Sequence, residues 1–265
     1  MAYFLLLIMF LANNQQDTPP NLFFTYTRFE HNSLENTELV LALANNSEID
    51  LLSKYCKRII SIKTLYVDGD KDIDNYYRIY RKTISYLKDF KNISLLVAGH
   101  PRFGVTLTQL FEIQASKENY ILNVNPGISS LDTMLIDLKI DPLERGSVII
   151  DVNRLLLFEH PLNTALDYFI YHISSIGNNR TDFMSPSLNN QGNVLKDYLL
   201  KFYPQSKEIV MIESASTNST NPTISRATLG ELAILLQEVN FTSSLFIKGD
   251  INRHINHKFY NALTV

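Results

Sequence analysis

Cysteine is almost absent from this chain. Among 265 residues only Cys56 occurs, so no disulfide can form within the chain. One cysteine fits a reducing compartment, and we expect a cytoplasmic protein. Charge of one sign is also lacking, because 24 lysines and arginines stand against 27 aspartates and glutamates. The sequence therefore gives no sign of nucleic acid as a partner, and its 45% hydrophobic content is that of an ordinary globular protein.

Long hydrophobic runs are also missing. The stretch from Tyr3 to Leu11 is the strongest candidate, but it is shorter than the roughly 20 residues that a membrane-spanning helix needs. It lacks a basic region and a small-residue cleavage pattern, so we interpret it as a buried strand and expect no membrane partner. Glycine is scarce, and none occurs before Gly69, so a tight turn after this strand must use Asn13 or Asn14.

The stretch from Ser94 to Gly146 carries the clearest pattern, in which a strand, a loop and a helix occur twice. In the first copy an apolar run, Leu95 to Ala98, ends at Gly99-His100-Pro101. Apolar residues then fall mostly at three- and four-residue spacing from Val105 to Ile113, which predicts a helix.

The second copy of this pattern begins with a predicted strand from Tyr120 to Val124. That strand ends at Pro126-Gly127, and Ser129 or Ser130 can cap the helix that follows. In open α/β sheets, ligands bind at the loops after the carboxyl ends of the strands. Two such loops at this spacing therefore predict a ligand cradle.

The two loops resemble those of the tetrapyrrole methylase superfamily, whose members bind S-adenosylmethionine between two α/β lobes. Gly99-His100-Pro101 with Phe103, and Pro126-Gly127-Ile128-Ser129-Ser130, match the paired loops. Two further features are similar to the borosin peptide backbone N-methyltransferases. They are His100, where corrin methylases usually carry Asp, and the segment Asp137-Leu138-Lys139-Ile140-Asp141-Pro142 before Gly146. The similarity extends weakly over about Leu39 to Lys248.

The resemblance implies an α/β protein of two lobes, residues 1–128 and 129–265, each a sheet flanked by helices, with a cofactor cleft between them. It implies S-adenosylmethionine as the cofactor and, as in relatives, a homodimer. By resemblance the cofactor-binding residues are Ala98, Gly99, His100, Phe103, Val105, Ser129, Ser130, Tyr171, His172 and Ser214. Tyr171-His172 stands where the family has Trp-Gln, and a histidine on such a strand is more often a hydrogen-bonded core residue than a catalyst.

Methylating an amide requires help, because the amide nitrogen lends its lone pair to the carbonyl and is a poor nucleophile. A base, or donors on the carbonyl oxygen, must push it toward an imidate. Tyr66 and Tyr80 match the tyrosines of the borosin pattern, whereas Tyr76 stands at its arginine position and Ala98 at a third tyrosine. We assign catalytic roles to four residues, with a tyrosine whose pKa a neighbouring arginine lowers as the base. The four are Tyr66, Tyr76, Tyr80 and Arg81, and Arg78 is the other arginine that can supply the charge.

Other interpretations of the same residues stay open. From the residues alone, the segment after Asp74 can be a helix whose tyrosines half-cover a core while its arginines stay in water. The acidic loop from Asp68 to Asp74 lacks the ligand pattern of an EF-hand, and we predict no metal site. A non-catalytic partner that keeps the fold is the second hypothesis, motivated by Ala98, Tyr76 and the missing early glycine. A corrin or porphyrin methylase is the third.

The first hypothesis is methylation of the backbone amides of a separate precursor peptide, because Tyr260 to Val265 shows no leader or repeated apolar core. Several secondary-structure predictions accompany it. Strands are predicted at Leu39 to Leu43, Ile59 to Ile62, Ser147 to Val152, Leu166 to Ile176, Glu208 to Ile212 and Ser244 to Ile247. Helices are predicted at Asn153 to Phe158, Leu195 to Phe202 and Leu229 to Leu236. Loops are predicted at Asn178 to Asn193 and Thr217 to Pro222. Asp74 or Asn75 is the predicted cap of the helix that carries Tyr76 and Tyr80.

Overall fold

The computed structural model describes the backbone of residues 5–9 and 21–23. It describes residues 37–44, 49–50, 52–53, 56–214, 221–250 and 255–263 in full, except Ala98, for which only the backbone is described. The turn predicted at Asn13 and Asn14 lies outside these residues. The chain divides into two compact units. The first comprises Met1–Leu138, Asn179–Thr181 and Ser214–Pro222, and the second comprises Lys139–Asn178, Asp182–Glu213 and Thr223–Val265. A lobe boundary after residue 128 stays a prediction.

The first unit contains a six-stranded sheet. Its strands are β1 (Leu5–Met9), β2 (Asn21–Phe23), β3 (Leu39–Ala42), β4 (Ile59–Ser61), β5 (Asn92–Ala98) and β6 (Ile121–Leu122), in the order β4-β3-β5-β2-β6. Strand β1 pairs with β5 in the antiparallel direction, and all other pairs are parallel. The predicted strands at β1, β3, β4, β5 and β6 are confirmed as strands.

Burial on both faces explains the apolar runs of the central strands. Every residue of β3 is buried, and so are the residues of β5 from Ile93 to Val97. A strand covered on both faces has no polar side, so its sequence is almost continuously hydrophobic. The one buried polar residue in this part of β5, Ser94, shares a hydrogen bond of 2.8 Å with the hydroxyl of Thr37.

The described residues of the first unit include the helices α1 (Asp72–Tyr86), α2 (Thr106–Glu118) and α3 (Ser130–Leu138). A short 3₁₀ helix, Lys63–Leu65, precedes α1. The core between α1, α2 and the sheet is centred on Phe111, which is fully buried. Its ring lies 5.1 Å from that of Tyr80 and 6.4 Å from that of Tyr120, measured between centroids.

The second unit contains a five-stranded sheet. Its strands are β7 (Ser147–Asp151), β8 (Asp167–Tyr171), β9 (Glu208–Glu213), β10 (Thr223–Thr228) and β11 (Ser244–Ile247), in the order β10-β9-β11-β8-β7. Strands β7 and β8 are parallel, and the other three pairs are antiparallel. Strands β7 and β8 therefore present their carboxyl ends side by side.

Helices of the second unit are short. They are α4 (Pro142–Arg145), α5 (Val152–Leu157), α6 (Pro186–Asn189), α7 (Gly192–Leu199), α8 (Leu232–Leu235) and α9 (His257–Leu263), with 3₁₀ helices at Ile173–Ser175, Leu229–Glu231 and Leu236–Glu238. Residues of β8, β9, β11, α5, α7 and α8 form one hydrophobic core. The α/β class with two helix-flanked sheets is confirmed.

The start of α1 corrects the predicted cap. The helix begins at Asp72 with Lys71 in the cap position, where no side chain bonds the first turn. Asp72 and Asp74 both fall in that turn, where carboxylates favour the partial positive charge of the helix start. Asn75 does not cap the helix because it is buried within it and bonds elsewhere.

Three further segments differ from the predictions. The long strand predicted from Leu166 to Ile176 ends at Tyr171, because His172 adopts the left-handed region with a φ of 59°. The loop predicted from Asn178 to Asn193 contains α6 and the start of α7. The sequence pattern does not predict the edge strand β10, because its residues are mostly polar and half-exposed. Its pairing with β9 decides its conformation.

The described part of the chain contains neither a membrane-spanning helix nor a cluster of metal-binding side chains. None of its helices combines the length and the apolar content that crossing a bilayer requires. Likewise, no group of three or more His, Cys, Asp or Glu residues within the described ranges is arranged to hold a metal ion.

We expect Phe111→Ala to lower the free energy of unfolding by about 3–5 kcal/mol, because it removes a fully buried ring and leaves a cavity. Ile113→Ala, on the same helix but at a residue that is 61% exposed, is the matched control and should cost less than about 1 kcal/mol. Urea unfolding measures both. Equal losses in the two variants would contradict a core centred on Phe111.

Candidate functional site

The predicted loop after β5 is built around Gly99. Gly99 follows the last residue of β5 and has a φ of +83°, a conformation that L side chains rarely adopt. Within the described residues, a Cβ atom built on Gly99 would have no neighbour within 4 Å, so none of them fills the space in front of this α-carbon. The loop is held by its own hydrogen bonds. The Arg102 N–H donates to His100 Nδ1 (3.1 Å), and the Thr108 hydroxyl donates to the Pro101 carbonyl (2.5 Å).

The residues that follow this loop lead directly into α2. His100, Phe103 and Val105 are half-buried, and the Phe103 N–H donates to the His100 carbonyl at 3.0 Å. Val105 is the cap residue of α2, and no side chain caps its first turn. Since the first amides of a helix have no partner within the helix, they can bind an acceptor on a ligand. Arg102 is not available to an acidic ligand, because it forms an ion pair with Glu112.

Ser129 is the residue that caps α3. Its hydroxyl and its N–H both donate to one carboxylate oxygen of Asp132 (2.6 Å each), and the Asp132 N–H donates back to the hydroxyl at 3.3 Å. The predicted cap is thus confirmed at Ser129, and Ser130 is the exposed first residue of the helix. Because the Ser129 proton is already donated, its oxygen can only accept a hydrogen bond from a ligand.

Tyr66 and Tyr76 lie together beside the 3₁₀ helix that precedes α1. Their rings are stacked with centroids 6.0 Å apart, and both side chains are half-buried. Burial, followed by the charge and hydrogen bond of Tyr76, raises the pKa of Tyr66 far above its usual range. Burial also raises the pKa of Tyr76, although its hydrogen bond with Tyr66 lowers it in part.

Asn75 holds this tyrosine pair in place from within α1. It is fully buried, and its amide bonds both backbone groups of Val67: the Val67 N–H donates to Oδ1, and Nδ2 donates to the Val67 carbonyl (2.9 Å each). Nδ2 also donates to the Thr181 hydroxyl at 2.9 Å, and that hydroxyl donates to Asp72 at 2.5 Å. The residue that follows Tyr66 is therefore anchored to the helix that carries Tyr76.

Arg78, rather than Arg81, is the arginine that reaches the Tyr66 loop. It donates to the Leu65 carbonyl (2.8 Å), to Asn75 Oδ1 (2.6 Å) and to the carboxylate of Asp70 (2.5 Å). Arg81 is exposed and lies over the ring of Tyr77 at 5.9 Å. Three residues apart on one helix, the two guanidinium groups thus have different partners.

Tyr80 is a core residue, one helical turn after Tyr76. It is 6% exposed, with its ring against Phe111. Burial, and then the charge of Glu118, raises its pKa to about 12. Tyr66, Tyr76 and Tyr80 all have raised pKa values, so the prediction that an arginine lowers the pKa of one of them is wrong. Burial is the largest cause of each shift, and Arg78 is paired with Asp70.

The other predicted residues lie at or just after the carboxyl ends of strands β8 and β9. Tyr171 ends β8 and is buried, and the exposed His172 follows it. His172 Nδ1 lies 2.7 Å from Asp151 Oδ2, and Asp151 ends β7. Ser214 follows β9. Its hydroxyl oxygen is buried and has no hydrogen-bond partner among the residues that the structure describes.

Sequence reasoning missed the residues that position these side chains. Asn75 was considered only as a cap, and Thr181 and Asp151 were not singled out. Asn75 could have been found from the sequence as a polar residue on the buried face of a predicted helix, because buried amide side chains are hydrogen-bonded. Thr181 lies 106 residues from Asn75, and no local pattern connects them.

No family model matches this chain. Among curated proteins, it is 28% identical over 187 residues to the methyltransferase/ribosomally synthesized cyclic peptide gymnopeptides precursor of Gymnopus fusipes, which covers 70% of this chain and 44% of the relative. It is 30% identical over 151 residues to a type II borosin cyclic peptide precursor of Phlebiopsis gigantea, a match that covers 56% of this chain and 26% of the relative. It is 24% identical over 205 residues to a type I borosin cyclic peptide precursor of Coprinopsis marcescibilis, a match that covers 76% of this chain and 52% of the relative. The chain spans about half the length of these relatives or less.

Solved structures show the same fold. The uroporphyrin-III-C-methyltransferase of Thermus thermophilus superposes with a TM-score of 0.56 at 15% identity, covering 84% of this chain and 87% of that one. The same enzyme complexed with S-adenosyl homocysteine gives 0.53 at 13% identity, covering 84% and 90%. A cobalt precorrin-4 methyltransferase also gives 0.53, at 12% identity, covering 84% and 88%. The chain therefore has the tetrapyrrole methylase fold, and its predicted resemblance to borosin methyltransferases is confirmed.

We expect Asn75→Ala to lower the free energy of unfolding by about 2–3 kcal/mol, because it removes the side chain that bonds both backbone groups of Val67 and the buried Thr181 hydroxyl. Hydrogen exchange at the Val67 amide should accelerate strongly in this variant. Ser85→Ala, at an exposed residue of the same helix, is the control and should change neither measurement appreciably. Unchanged protection of the Val67 amide would contradict the anchoring role of Asn75.

Proposed function

We propose that this chain is an S-adenosylmethionine-dependent methyltransferase that methylates backbone amide nitrogens of a peptide. The observation that carries the proposal is the open space at Gly99, at the carboxyl end of a central strand of a methyltransferase fold. Similarity to proteins named as both methyltransferase and cyclic peptide precursor supports a peptide as the substrate. The S-adenosyl homocysteine in a structure of the same fold supports the cofactor.

The residues of the first unit fit such a cofactor. Gly99 leaves room for close approach, the uncapped amides at Val105 can bind a carboxylate, and the oxygen of Ser129 can accept from a ribose hydroxyl. Alongside these three we assign Ala98, His100, Phe103 and Ser130. When bound, S-adenosylmethionine supplies an electrophilic methyl group on a positively charged sulfur.

By the resemblance, we also assign Tyr171, His172 and Ser214 to cofactor binding. The buried Ser214 hydroxyl, with no partner in the described part of the chain, is the kind of group that a ligand contact satisfies. Tyr171 is buried at the end of its strand, where it can pack against a ligand without moving. These three residues complete the set that the resemblance implies.

Activation of the substrate amide is the task of Tyr76. Tyr76 is half-buried against the ring of Tyr66, and its phenolic proton can be donated to a substrate carbonyl oxygen. A raised pKa keeps this proton in place near neutral pH. Tyr76 thereby provides the oxyanion donor where borosins have an arginine. Donation to the oxygen stabilises the imidate and makes the amide N–H more acidic, so the nucleophilic deprotonated nitrogen forms more easily.

The remaining predicted catalytic residues act indirectly in this proposal. Tyr66 packs against the ring of Tyr76, and Tyr80 supports the helix from the core. Arg81, over the ring of Tyr77, contributes positive charge at the surface of α1, whereas Arg78 holds the loop. We further propose that the peptide is a separate chain and that the enzyme acts as a homodimer in the cytoplasm.

A second candidate function is a non-catalytic partner that retains the fold. Ala98 and Tyr76, at positions where borosins have a tyrosine and an arginine, favour it. A tetrapyrrole methylase is the third candidate, and the solved structures of this fold favour it. Cofactor binding without turnover on any peptide supports the partner, and turnover of a tetrapyrrole supports the methylase.

The Gly99 loop can be tested by calorimetry. We expect the native chain to bind S-adenosylmethionine with micromolar affinity, about −8 kcal/mol, and Gly99→Ala to weaken binding at least about tenfold. Gly69→Ala is the matched control, because Gly69 has a φ of +80° and the same open space, so both variants carry similar backbone strain. Equal affinity in the two variants would remove Gly99 from the cofactor site.

The reaction can be tested with a synthetic peptide that carries the repeated apolar sequence of a borosin core. We expect methyl-sized mass increments, located on backbone nitrogens by fragmentation, only when S-adenosylmethionine is present. Tyr76→Phe should lower kcat about 10²–10³-fold, because it removes a donor to the developing oxyanion. Tyr77→Phe, on the same helix, keeps the ring near Arg81 and should retain activity within about twofold.

Two results would contradict the proposed reaction. The first is the absence of any mass increment on the peptide with the native chain under conditions in which cofactor binding is demonstrated. The second is methylation confined to side chains. Equal rates for Tyr76→Phe and the native chain would leave the reaction but remove Tyr76 from it.

A further inference from the structure

Thr181 contacts the start of α1 from a distant part of the sequence. It ends the segment Asn179–Thr181, which belongs to the first unit together with α1 and the loop before it. The Gly69 N–H donates to the Thr181 carbonyl at 2.8 Å, and the Thr181 N–H donates to the Asp70 carbonyl at 2.9 Å. Thr181 is 1% exposed, so its backbone is held in place and its hydroxyl is shielded from solvent.

The single proton of the Thr181 hydroxyl is already used. It is donated to Asp72 Oδ1 at 2.5 Å, and the hydroxyl oxygen accepts a hydrogen bond from Asn75 Nδ2 at 2.9 Å. A hydroxyl has one proton and two lone pairs, so one lone pair is left. Tyr66 shares a hydrogen bond with Thr181, and it can only be the donor in that bond.

The proton of Tyr66 therefore points toward Thr181 and not toward Tyr76. Tyr66 also shares a hydrogen bond with Tyr76, and it must accept in that bond because its own proton is committed. In the empty site, Tyr76 thus donates to Tyr66, and Tyr66 donates to Thr181. Since Thr181 donates to Asp72, the hydrogen bonds run in one direction and end on a carboxylate.

Substrate binding changes the first of these hydrogen bonds. In the proposed function Tyr76 donates to the carbonyl oxygen of the substrate, and the lone pair of Tyr66 that Tyr76 occupied then becomes available. Donation to the carbonyl oxygen makes the N–H more acidic, and its proton must leave when the nitrogen gains the methyl group. A proton acceptor is therefore required beside the tyrosine pair.

Tyr66 does not act as this base by itself. Burial first, and then the charge and hydrogen bond of Tyr76 and the charge of Asp72, raise the pKa of Tyr66 far above its usual range. No phenolate is therefore present to take the proton. The oxygen of Tyr66 can accept a proton only if its own proton leaves toward Thr181 in the same event.

We propose that Tyr66, Thr181 and Asp72 form a proton relay that carries the proton of the methylated nitrogen to the start of α1. This inference rests on the proposed function. The C=O and N–H bonds of a trans peptide group point in opposite directions, so two neighbouring hydroxyls cannot contact both of them. One water molecule therefore links the N–H of the substrate to Tyr66.

Every oxygen in the relay gains one proton and gives one up, except the last. The nitrogen proton passes to the water, a water proton to Tyr66, the Tyr66 proton to Thr181 and the Thr181 proton to Asp72. The electron pair of the N–H bond stays on nitrogen, another pair of the nitrogen forms the bond to the methyl carbon, and the pair of the old C–S bond stays with sulfur. Asp72 is half-buried at the helix start and then loses the proton to solvent.

The first turn of α1 offers a matched pair of variants for testing the relay. Asp72→Asn keeps an oxygen that accepts the Thr181 hydroxyl but cannot take a proton. We expect it to lower kcat for peptide methylation about 10²–10⁴-fold, with the KM for the peptide unchanged. Asp74→Asn removes a charge from the same turn and should retain activity within about twofold. Equal rates in the two variants would overturn the relay.

Thr181 provides a second pair of variants. Thr181→Val keeps the shape of the side chain without the hydroxyl, whereas Thr181→Ser keeps the hydroxyl. We expect kcat to fall about 10²–10⁴-fold in Thr181→Val and to stay within about fivefold of the native value in Thr181→Ser. Equal losses in both would show that packing, rather than the hydroxyl, is what the reaction needs.

Hydrogen exchange separates loss of the relay from loss of structure. The Val67 amide should remain protected in Asp72→Asn, because Asn75 keeps its hydrogen bond to that amide. A purely structural role of Asp72 predicts the opposite pattern, in which activity falls only as far as this protection falls.

The direction of the hydrogen bonds can be measured without any activity. NMR of the hydroxyl protons in the native chain should place the Tyr66 proton next to the side chain of Thr181. A Tyr66 proton found next to the ring of Tyr76 would reverse the direction and overturn the relay.

The outcomes separate this inference from the proposed function. A native chain that methylates no peptide removes the reaction and, with it, the task of the relay. Methylation by the native chain, together with equal rates in Asp72→Asn and Asp74→Asn, removes the relay alone.

Discussion

The hydrogen bonds of one buried amide side chain hold the candidate site together. Asn75 satisfies both backbone groups of Val67 and the hydroxyl of Thr181, and it does so without solvent contact. A buried amide that lost these partners would carry a penalty of about 1–3 kcal/mol per unsatisfied group, so the loop has few alternatives to this position. Tyr66, the residue before Val67, is consequently fixed against Tyr76.

Burial and hydrogen bonding give the tyrosines and Asp151 different protonation states. The tyrosines of the first unit are buried enough to remain neutral, and their nearby arginine is neutralised by Asp70. In the second unit, hydrogen bonds keep Asp151 ionised against the effect of burial. A neutral phenol can donate a hydrogen bond and a carboxylate-bound neutral imidazole can accept one, so the two units carry groups of opposite hydrogen-bonding character.

Much of the candidate cofactor loop could be predicted because the interactions that form it join residues close together in the sequence. A strand that ends at Gly99 and a helix that begins with Ser129 and Asp132 involve interactions within three residues. The same holds for the strands β3, β5 and β7, whose apolar residues directly reflect burial. Strand β10 could not be predicted this way, because a half-exposed edge strand is defined by its pairing with β9 rather than by its own pattern.

Partner choice was the part that sequence reasoning could not predict. Arg78 and Arg81 look equivalent in the sequence, but only Arg78 lies where the Leu65 carbonyl and Asp70 are within reach. The expected lowering of a tyrosine pKa was wrong for the same reason, since it assumed an unpaired arginine and ignored burial. The partners of an arginine and the pKa of a tyrosine both depend on which groups lie nearby in the folded chain, and the sequence does not show this.

By itself, the sequence determined the α/β class, the order of most strands and helices, the glycine loop after β5 and the resemblance to borosin methyltransferases. These follow from hydrophobic periodicity, turn residues and caps, which act over a few neighbouring residues. Only the tertiary structure decided that Asn75 meets Thr181, that Tyr66 pairs with Tyr76 and that Asp151 orients His172. Those pairings depend on distances between residues far apart in the chain and on burial, and both exist only once the chain has folded.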